Sequence, residues 1–372
     1  MKVAVTGAAG FVGANLLNQL VADGHEVIAI DRSRIAPTEG VTWRDANVLD
    51  PARMAQALDG AEVVYHLVAM ITLKQEDPIA WRLNTEGVAT VAAAALAVGA
   101  RRMVHCSSVH SFDQARCDGV LSETSPRADD RSGLPVYDRS KYAGELALDR
   151  FIDQGLDAVT CNPTGVYGPV DHSGRLSRLN TMVRDAALGR VPLSVGGGFD
   201  LVDVRDVAKG LTLAAEHGRT GENYLLTGEM VELHHLLTLG AQAAGRRGPL
   251  FAIPLWVLKA IMPIAEPIGA LFGSDMMSEA ALGAIFAQPV VDGSRARAEL
   301  GYAPRAAAET IRDLVAYYVE VGIVGRVTKK DPTRIGGVLP CLTSFERAFC
   351  RARGVTFGSR HKRRFSAHGT RR

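Results

Sequence analysis

Cysteine is scarce in this 372-residue sequence, and no two cysteines are spaced as metal ligands. Cys106, Cys117, Cys161, Cys341 and Cys350 make neither a zinc motif nor a disulfide framework, and so sparse a set fits a reducing, cytoplasmic setting. A long uninterrupted apolar run is also missing. The most apolar stretch, 249–273, is broken by Lys259 and Glu266 and by Pro254, Pro263 and Pro267. A membrane-spanning helix needs roughly 20 nearly uninterrupted apolar residues, so no span is expected. The opening run Lys2–Thr6 already reads as a strand and leaves no room for a secretory leader. Net charge is small, +2, which gives no support to a nucleic-acid role for the chain as a whole. What remains is 47% hydrophobic and 22% charged, the balance of an ordinary globular protein.

That near-neutral charge is a cancellation. Thirteen Lys/Arg and two acids lie from Arg326 onward, which puts +11 on the tail and −9 on the preceding 325 residues. The chain therefore divides into an acidic body and a basic extension, 326–372. The expected state of the extension is solvated and disordered. Binding of nucleic acid or anionic lipid through His361–Arg364 is the sharper alternative.

Within the body, short β-branched runs alternate with helical segments. Val3–Thr6, Glu26–Ile30, Val63–His66, Arg102–Cys106 and Ala158–Cys161 suit buried parallel strands. Helices are expected at Phe11–Ala22, at Pro51–Leu58 behind Asp50, and at Asn84–Val98, with Asn84 heading the last. This alternation means βαβ units and a Rossmann-like, doubly wound α/β sheet. We expect a cofactor domain over 1–165 with returning segments, and a smaller substrate lobe over 166–325 interleaved with it.

Thr6–Gly13, TGAAGFVG, lies between the first strand and the first helix. Gly7 permits a tight turn, Gly10 lets backbone approach a pyrophosphate, and Gly13 lets the helix pack closely on the sheet. Asp31 ends the next strand, where a carboxylate binds ribose hydroxyls and repels a 2′-phosphate. That favours NAD, although Arg32 and Arg34 follow and leave NADP open.

Tyr137 and Lys141 stand four apart at the start of a helix and so share one face. A nearby ammonium is expected to lower the phenol's pKa and make it a general acid/base. Ser108 closes the strand upstream and can meet the same substrate oxygen. No metal site is expected, since His105 and the pair His234–His235 lack further ligands.

Together these motifs resemble the extended short-chain dehydrogenase/reductase family, over roughly residues 1–320. The match comprises TGAAGFVG, HLVA (66–69), NTEG (84–87), SSV (107–109), YDRSK (137–141), NPTGVYGP (162–169) and DVRDVA (203–208). The resemblance implies Tyr137 as proton donor/acceptor, Lys141 as its partner and ribose ligand, and Ser108 as hydrogen bonder to the substrate oxygen. It also implies cofactor contacts from Gly7, Gly10, Phe11, Val12, Gly13 and Asp31, with Leu67 and Ala69 lining the crevice and Pro163 and Val166 flanking the nicotinamide. Asn47–Val48 stands where the family often has Asp and an aliphatic residue that read the adenine. Phe199 stands where sugar-nucleotide epimerases carry a diphosphate-gripping arginine, which leaves only Arg175, Arg178 or Arg205 to replace it. The remaining motifs look nearer to the dihydroflavonol 4-reductase and 3β-hydroxysteroid dehydrogenase branches.

The expected function is thus an NAD(P)-dependent oxidoreductase acting on a secondary alcohol or ketone of an apolar small molecule. Phe251, Leu255, Trp256, Leu258, Ile261 and Met262 are candidates for the pocket wall, or for core or a homodimer contact. The alternatives are a nucleotide-sugar epimerase/dehydratase and a catalytically silent NAD-binding regulator.

Overall fold

The computed structural model describes residues 1–33, 39–171, 176–257, 260 and 289–325. The basic tail, Arg34, Arg175, Leu258, Ile261 and Met262 lie outside the described residues.

The chain begins with β1 (Lys2–Thr6), α1 (Phe11–Ala22), β2 (Glu26–Ile30), β3 (Val41–Arg44), α2 (Pro51–Leu58) and β4 (Val63–His66). Helices α3 (Pro78–Asn84) and α4 (Glu86–Ala97) lead into β5 (Arg102–Cys106). A short β6 (Val120–Leu121) precedes the long α5 (Val136–Ile152), followed by β7 (Ala158–Pro163) and β8 (Gly165–Tyr167). Then come α6 (Arg178–Ala187), β9 (Ser194–Val195), β10 (Gly198–Asp203), α7 (Val204–His217), β11 (Asn223–Leu226), β12 (Glu229–Glu232) and α8 (Leu233–Ala243). The described chain closes with β13 (Ala252–Ile253), β14 (Val290–Val291), α9 (Ser294–Leu300) and α10 (Ala307–Glu320).

Seven strands form one parallel sheet in the order β3-β2-β1-β4-β5-β7-β11. The order reverses between β1 and β4, and ligands of such sheets bind outside the carboxyl ends at that reversal. Strands β4 and β7 are buried at every position, as expected when helices cover both faces. Alternate residues supply the two cores. Val3 and Val5 pack with Leu16, Leu17 and Leu20 of α1 and Val207 and Leu211 of α7. Ala4 and Val64 face the other way, onto Met54 and Leu58 of α2, Val88 and Val91 of α4, and Leu148 of α5. A third core joins the small sheet β8-β10-β12 to α6, α8 and α10 through Val183, Leu201, Leu236, Leu314 and Tyr318.

The doubly wound expectation holds, and the five expected strands are the interior of the sheet. One local expectation fails. Asn84 does not head a helix but ends α3, and the chain bends at Thr85 (φ −119°) before α4. Its amide is engaged elsewhere: Nδ2 donates to Met70 O at 3.1 Å and Ser140 Oγ at 2.9 Å, while Oδ1 accepts from Met70 N at 2.8 Å. The side chain pins a loop and α5 rather than capping its own backbone.

That pin requires α3 and α5 to touch. A Cβ placed on Gly144 of α5 would stand 2.3 Å from Asn84 O, so backbone meets backbone there. Gly144→Ala must push the helices apart, and overpacking of this kind costs about 1–3 kcal/mol. Thermal unfolding of the variant should show a lowered Tm; an unchanged Tm would mean the contact is looser than described.

Candidate active site

The glycine-rich turn is built as an anion cradle. Gly7 takes φ +74°, its N–H donates to Ile30 O at 2.9 Å, and a Cβ there would meet Leu67 and Val68 backbone at 3.1 Å. At Gly13 a Cβ would stand 2.2 Å from Gly7 O, so only glycine lets α1 sit this near the turn. Gly10 is the N-cap of α1 and offers no side-chain cap. The first N–H groups of a helix have no intrahelical partner, so this end is left for an anion. Asp31 stiffens the same turn: Oδ2 accepts from Ala9 N at 3.1 Å and Oδ1 from Ser33 N at 3.0 Å. These features fit a dinucleotide, whose pyrophosphate would lie against Gly7, Gly10, Phe11, Val12 and Gly13 and whose ribose would meet Asp31.

Other expected cofactor residues are less uniform. Leu67 is half-buried and Ala69 exposed beyond the end of β4, while Pro163, the last residue of β7, is buried and Val166 in β8 is half-buried. Arg32 is exposed. Asn47 is exposed, its Oδ1 accepting from Leu49 N at 3.1 Å in a tight turn. Val48 is only 5% exposed and packs in the α2/α4 core, so its side chain serves the fold.

Ser108, Tyr137 and Lys141 come together beside this cradle. Ser108 follows β5, and Tyr137 and Lys141 occupy one face of the first turns of α5, all three buried. The Ser108 side chain stands close enough to Tyr137 to favour its phenolate. Lys141 Nζ donates to Cys106 O at 3.0 Å, which locks α5 to the end of β5. The expected lowering of the phenol's pKa by Lys141 is not found. Burial pushes Tyr137 well above its ordinary value, and the neighbouring Ser108 side chain only partly offsets this. Burial also pulls Lys141 down to about 8. Desolvation opposes charge on both groups and outweighs their proximity.

Two sets of residues escaped the reading of the sequence. Glu145 lies one further turn along the Tyr137–Lys141 face, a repeat of four that was there to be seen. Its Oε1 accepts from Ser107 Oγ at 2.5 Å and Asn162 Nδ2 at 2.8 Å, and its Oε2 from Asn223 Nδ2 at 2.9 Å and from Arg127. His110 forms the second set: its Nδ1 lies 2.9 Å from Asp138 Oδ1, and its ring centroid 5.6 Å from that of Tyr137. No local pattern marks a contact between residues 28 apart.

Histidines 66 and 105, on paired positions of β4 and β5, stack at 5.4 Å in the interior. Cys106, Cys117 and Cys161 are free thiols. Among the described residues no group of His, Cys, Asp or Glu could hold a metal ion, and no helix is long and apolar enough to cross a membrane.

The NAD dependent epimerase/dehydratase family model matches residues 3–227. The chain belongs to that family. Its sequence is 30% identical over 337 residues to "Sterol demethylase protein B" of Methylococcus capsulatus, covering 87% of this chain and all of that one. It is 25% identical over 346 residues to "3-beta-hydroxysteroid dehydrogenase" of Mycolicibacterium neoaurum, covering 86% and 92% of the two chains. The crystal structure of gox2253 superposes with a TM-score of 0.74 at 31% identity, over 87% of this chain and 99% of that one. The resemblance to the extended short-chain dehydrogenase/reductases therefore holds, and with it an NAD-dependent family.

Two outcomes follow. Asp31→Ala removes both the ribose acceptor and the tie to Ala9, so the NAD Kd, read by titration, should rise about tenfold and the NAD-over-NADP preference should shrink. An unchanged preference would remove Asp31 from cofactor choice. For Lys141, the folded protein loses the proton near pH 8 while the unfolded chain keeps it to about 10.5. The unfolded state then binds more protons between those limits, so this group's contribution to the stability of the cofactor-free protein rises with pH. Lys141→Met should flatten the rise in Tm over that window; an identical rise in both proteins would contradict it.

Proposed function

We propose that this protein is an NAD-dependent oxidoreductase that exchanges a hydride between the nicotinamide and a secondary alcohol or ketone of an apolar substrate. One observation carries the reading: a buried tyrosine beside a buried serine, one helical turn from a buried lysine, at the carboxyl ends of the strands. Bound NAD supplies or accepts the hydride. Ser108 and Tyr137 hold the substrate oxygen between two hydroxyls, and Lys141 orients the nicotinamide ribose. Because burial holds the proton on Tyr137, the cofactor-free site carries the protonated phenol that ketone reduction consumes.

Several features support an apolar substrate over a nucleotide sugar. Phe199, at the position of the diphosphate-gripping arginine, is half-buried on β10 and packs against the third core. Arg205 cannot replace it: its Nε and Nη2 bond Asp203 at 3.0 and 2.7 Å, and its Nη1 bonds Asp313 at 2.8 Å. Of the other candidates, Arg178 is exposed, and Arg175 lies outside the described residues. Phe251 and Trp256 are 56% and 73% exposed, apolar surface available to a substrate wall. The names of the relatives, a sterol demethylase protein and a hydroxysteroid dehydrogenase, point the same way.

The family also includes epimerases and dehydratases, and the same three residues suit a transient oxidation that leaves the cofactor unchanged overall. The two readings separate in one screen. Purified protein is mixed with NAD or NADH and with sterols, flavonoid-like ketones and UDP-sugars, and reduced nicotinamide is followed by its ultraviolet absorbance. Net cofactor turnover with a sterol or flavonoid-like compound supports the oxidoreductase. Conversion of a UDP-sugar with no net turnover supports the epimerase. With the substrate so found, Tyr137→Phe should lower kcat by about a thousandfold while leaving the NADH Kd unchanged. A near-normal rate would end the role given to Tyr137.

A further inference from the structure

Next to the triad stands a second polar pair. His110 lies two residues beyond Ser108, and its backbone N–H donates to Ser108 Oγ at 3.2 Å. Its ring is clamped at one edge only. Nδ1 bonds Asp138 at 2.9 Å, the side chain is 37% exposed, and Nε2 has no partner among the described residues. The ring is tilted 58° to that of Tyr137 with centroids 5.6 Å apart. A dyad serving only to brace the loop has no need to leave its outer nitrogen open beside the reacting hydroxyls. On the reading given above, a substrate oxygen held between Ser108 and Tyr137 brings the neighbouring carbon under this ring.

We propose that His110 is a specificity-determining residue that donates a hydrogen bond from Nε2 to a second oxygen of the substrate, on the carbon next to the one that exchanges hydride. The charged groups around the ring are few. Asp138 and Tyr137 face it from α5, Ser108 from the end of β5, and the charge of Arg178 reaches it from α6. Burial opposes the imidazolium, but the charge and hydrogen bond of Asp138 prevail, and His110 is held above its ordinary value of 6.5. Below that raised midpoint both nitrogens carry protons and Nε2 donates. As pH rises through it, the proton bonded to Asp138 stays on Nδ1 and Nε2 becomes an acceptor. An ether oxygen then loses its contact, whereas a hydroxyl keeps one by turning its own proton toward the ring.

Three related ketones test this with the full-length protein and NADH: benzoin, its methyl ether, and deoxybenzoin, which lacks the second oxygen. At about pH 6 both oxygenated ketones should exceed deoxybenzoin in kcat/KM by about tenfold, the effect of one charge-assisted hydrogen bond. At about pH 9 the methyl ether should fall to the level of deoxybenzoin while benzoin keeps its lead. His110→Phe should erase the preference at every pH. His110→Gln should keep a preference but make it independent of pH, and NADH affinity reports whether each variant is folded. Equal rates for the three ketones in the natural protein, or an unchanged preference in His110→Phe, would overturn the proposal.

Histidine-labelled NMR of the NADH-loaded protein separates this inference from the reading on which it rests. A shift of the His110 Nε2 signal with benzoin methyl ether and not with deoxybenzoin supports the contact even if no ketone is reduced, and failure of reduction then counts against hydride transfer alone. No difference between the two ketones overturns the contact whatever the rates.

Discussion

The carboxylate of Glu145, 5% exposed, ties the carboxyl ends of the strands to α5. A buried charge is tolerable only when it is paired and its oxygens are satisfied. Here four donors converge on it, from Ser107 after β5, Asn162 in β7, Asn223 in β11 and Arg127 in the loop before α5. Asn162 extends the network, donating also to Ser108 O at 3.1 Å and Ser111 Oγ at 3.0 Å. The guanidinium of Arg127 lies 4.0 Å from the centre of the Phe112 ring and 4.7 Å from that of Tyr142. Removing one partner of such a pair leaves the other charge buried and alone, a loss of about 3–5 kcal/mol. The strand ends and α5 therefore move as one body, and the hydroxyls they carry are placed before any substrate arrives.

From this follows a division between what the sequence discloses and what it hides. The glycine turn was legible because its requirements are local: a strand, three glycines and a helix in fixed order. The interior strands were legible because burial on both faces leaves continuous apolar runs. Tyr137 and Lys141 were legible because a spacing of four fixes their common face. The strand β3 was not, since VTWR at the sheet edge is only half-buried and mixes polar with apolar residues. The bend at Thr85 was hidden for another reason. Asn84 has the chemistry of a helix cap, but its partners, Met70 and Ser140, are brought to it by the tertiary fold. Asp138 and His110 are likewise ordinary residues until α5 packs on the loop after β5.

The error about Tyr137 is more instructive than these omissions. Spacing alone suggested that an ammonium would lower the phenol's pKa, yet spacing says nothing about solvent. Once both groups are buried, desolvation acts on each against its charged form. The phenol keeps its proton more firmly and the lysine gives its proton up more readily, so the pair tends toward two neutral groups. Lys141 donates one of its N–H groups to Cys106 O, which fixes the position of its ammonium.

A site in that condition keeps its proton but is a weak acid, and it carries too little phenolate to act as a base. The oxidative direction is helped by a further positive charge close to the phenol, which offsets burial in favour of the phenolate. The oxidised nicotinamide carries such a charge and the reduced form does not. The direction of proton transfer would then be linked to the redox state of the cofactor, with no change in the protein's own charges. Burial, which looks at first like an obstacle to acid–base chemistry here, is what would make Tyr137 responsive to the charge beside it.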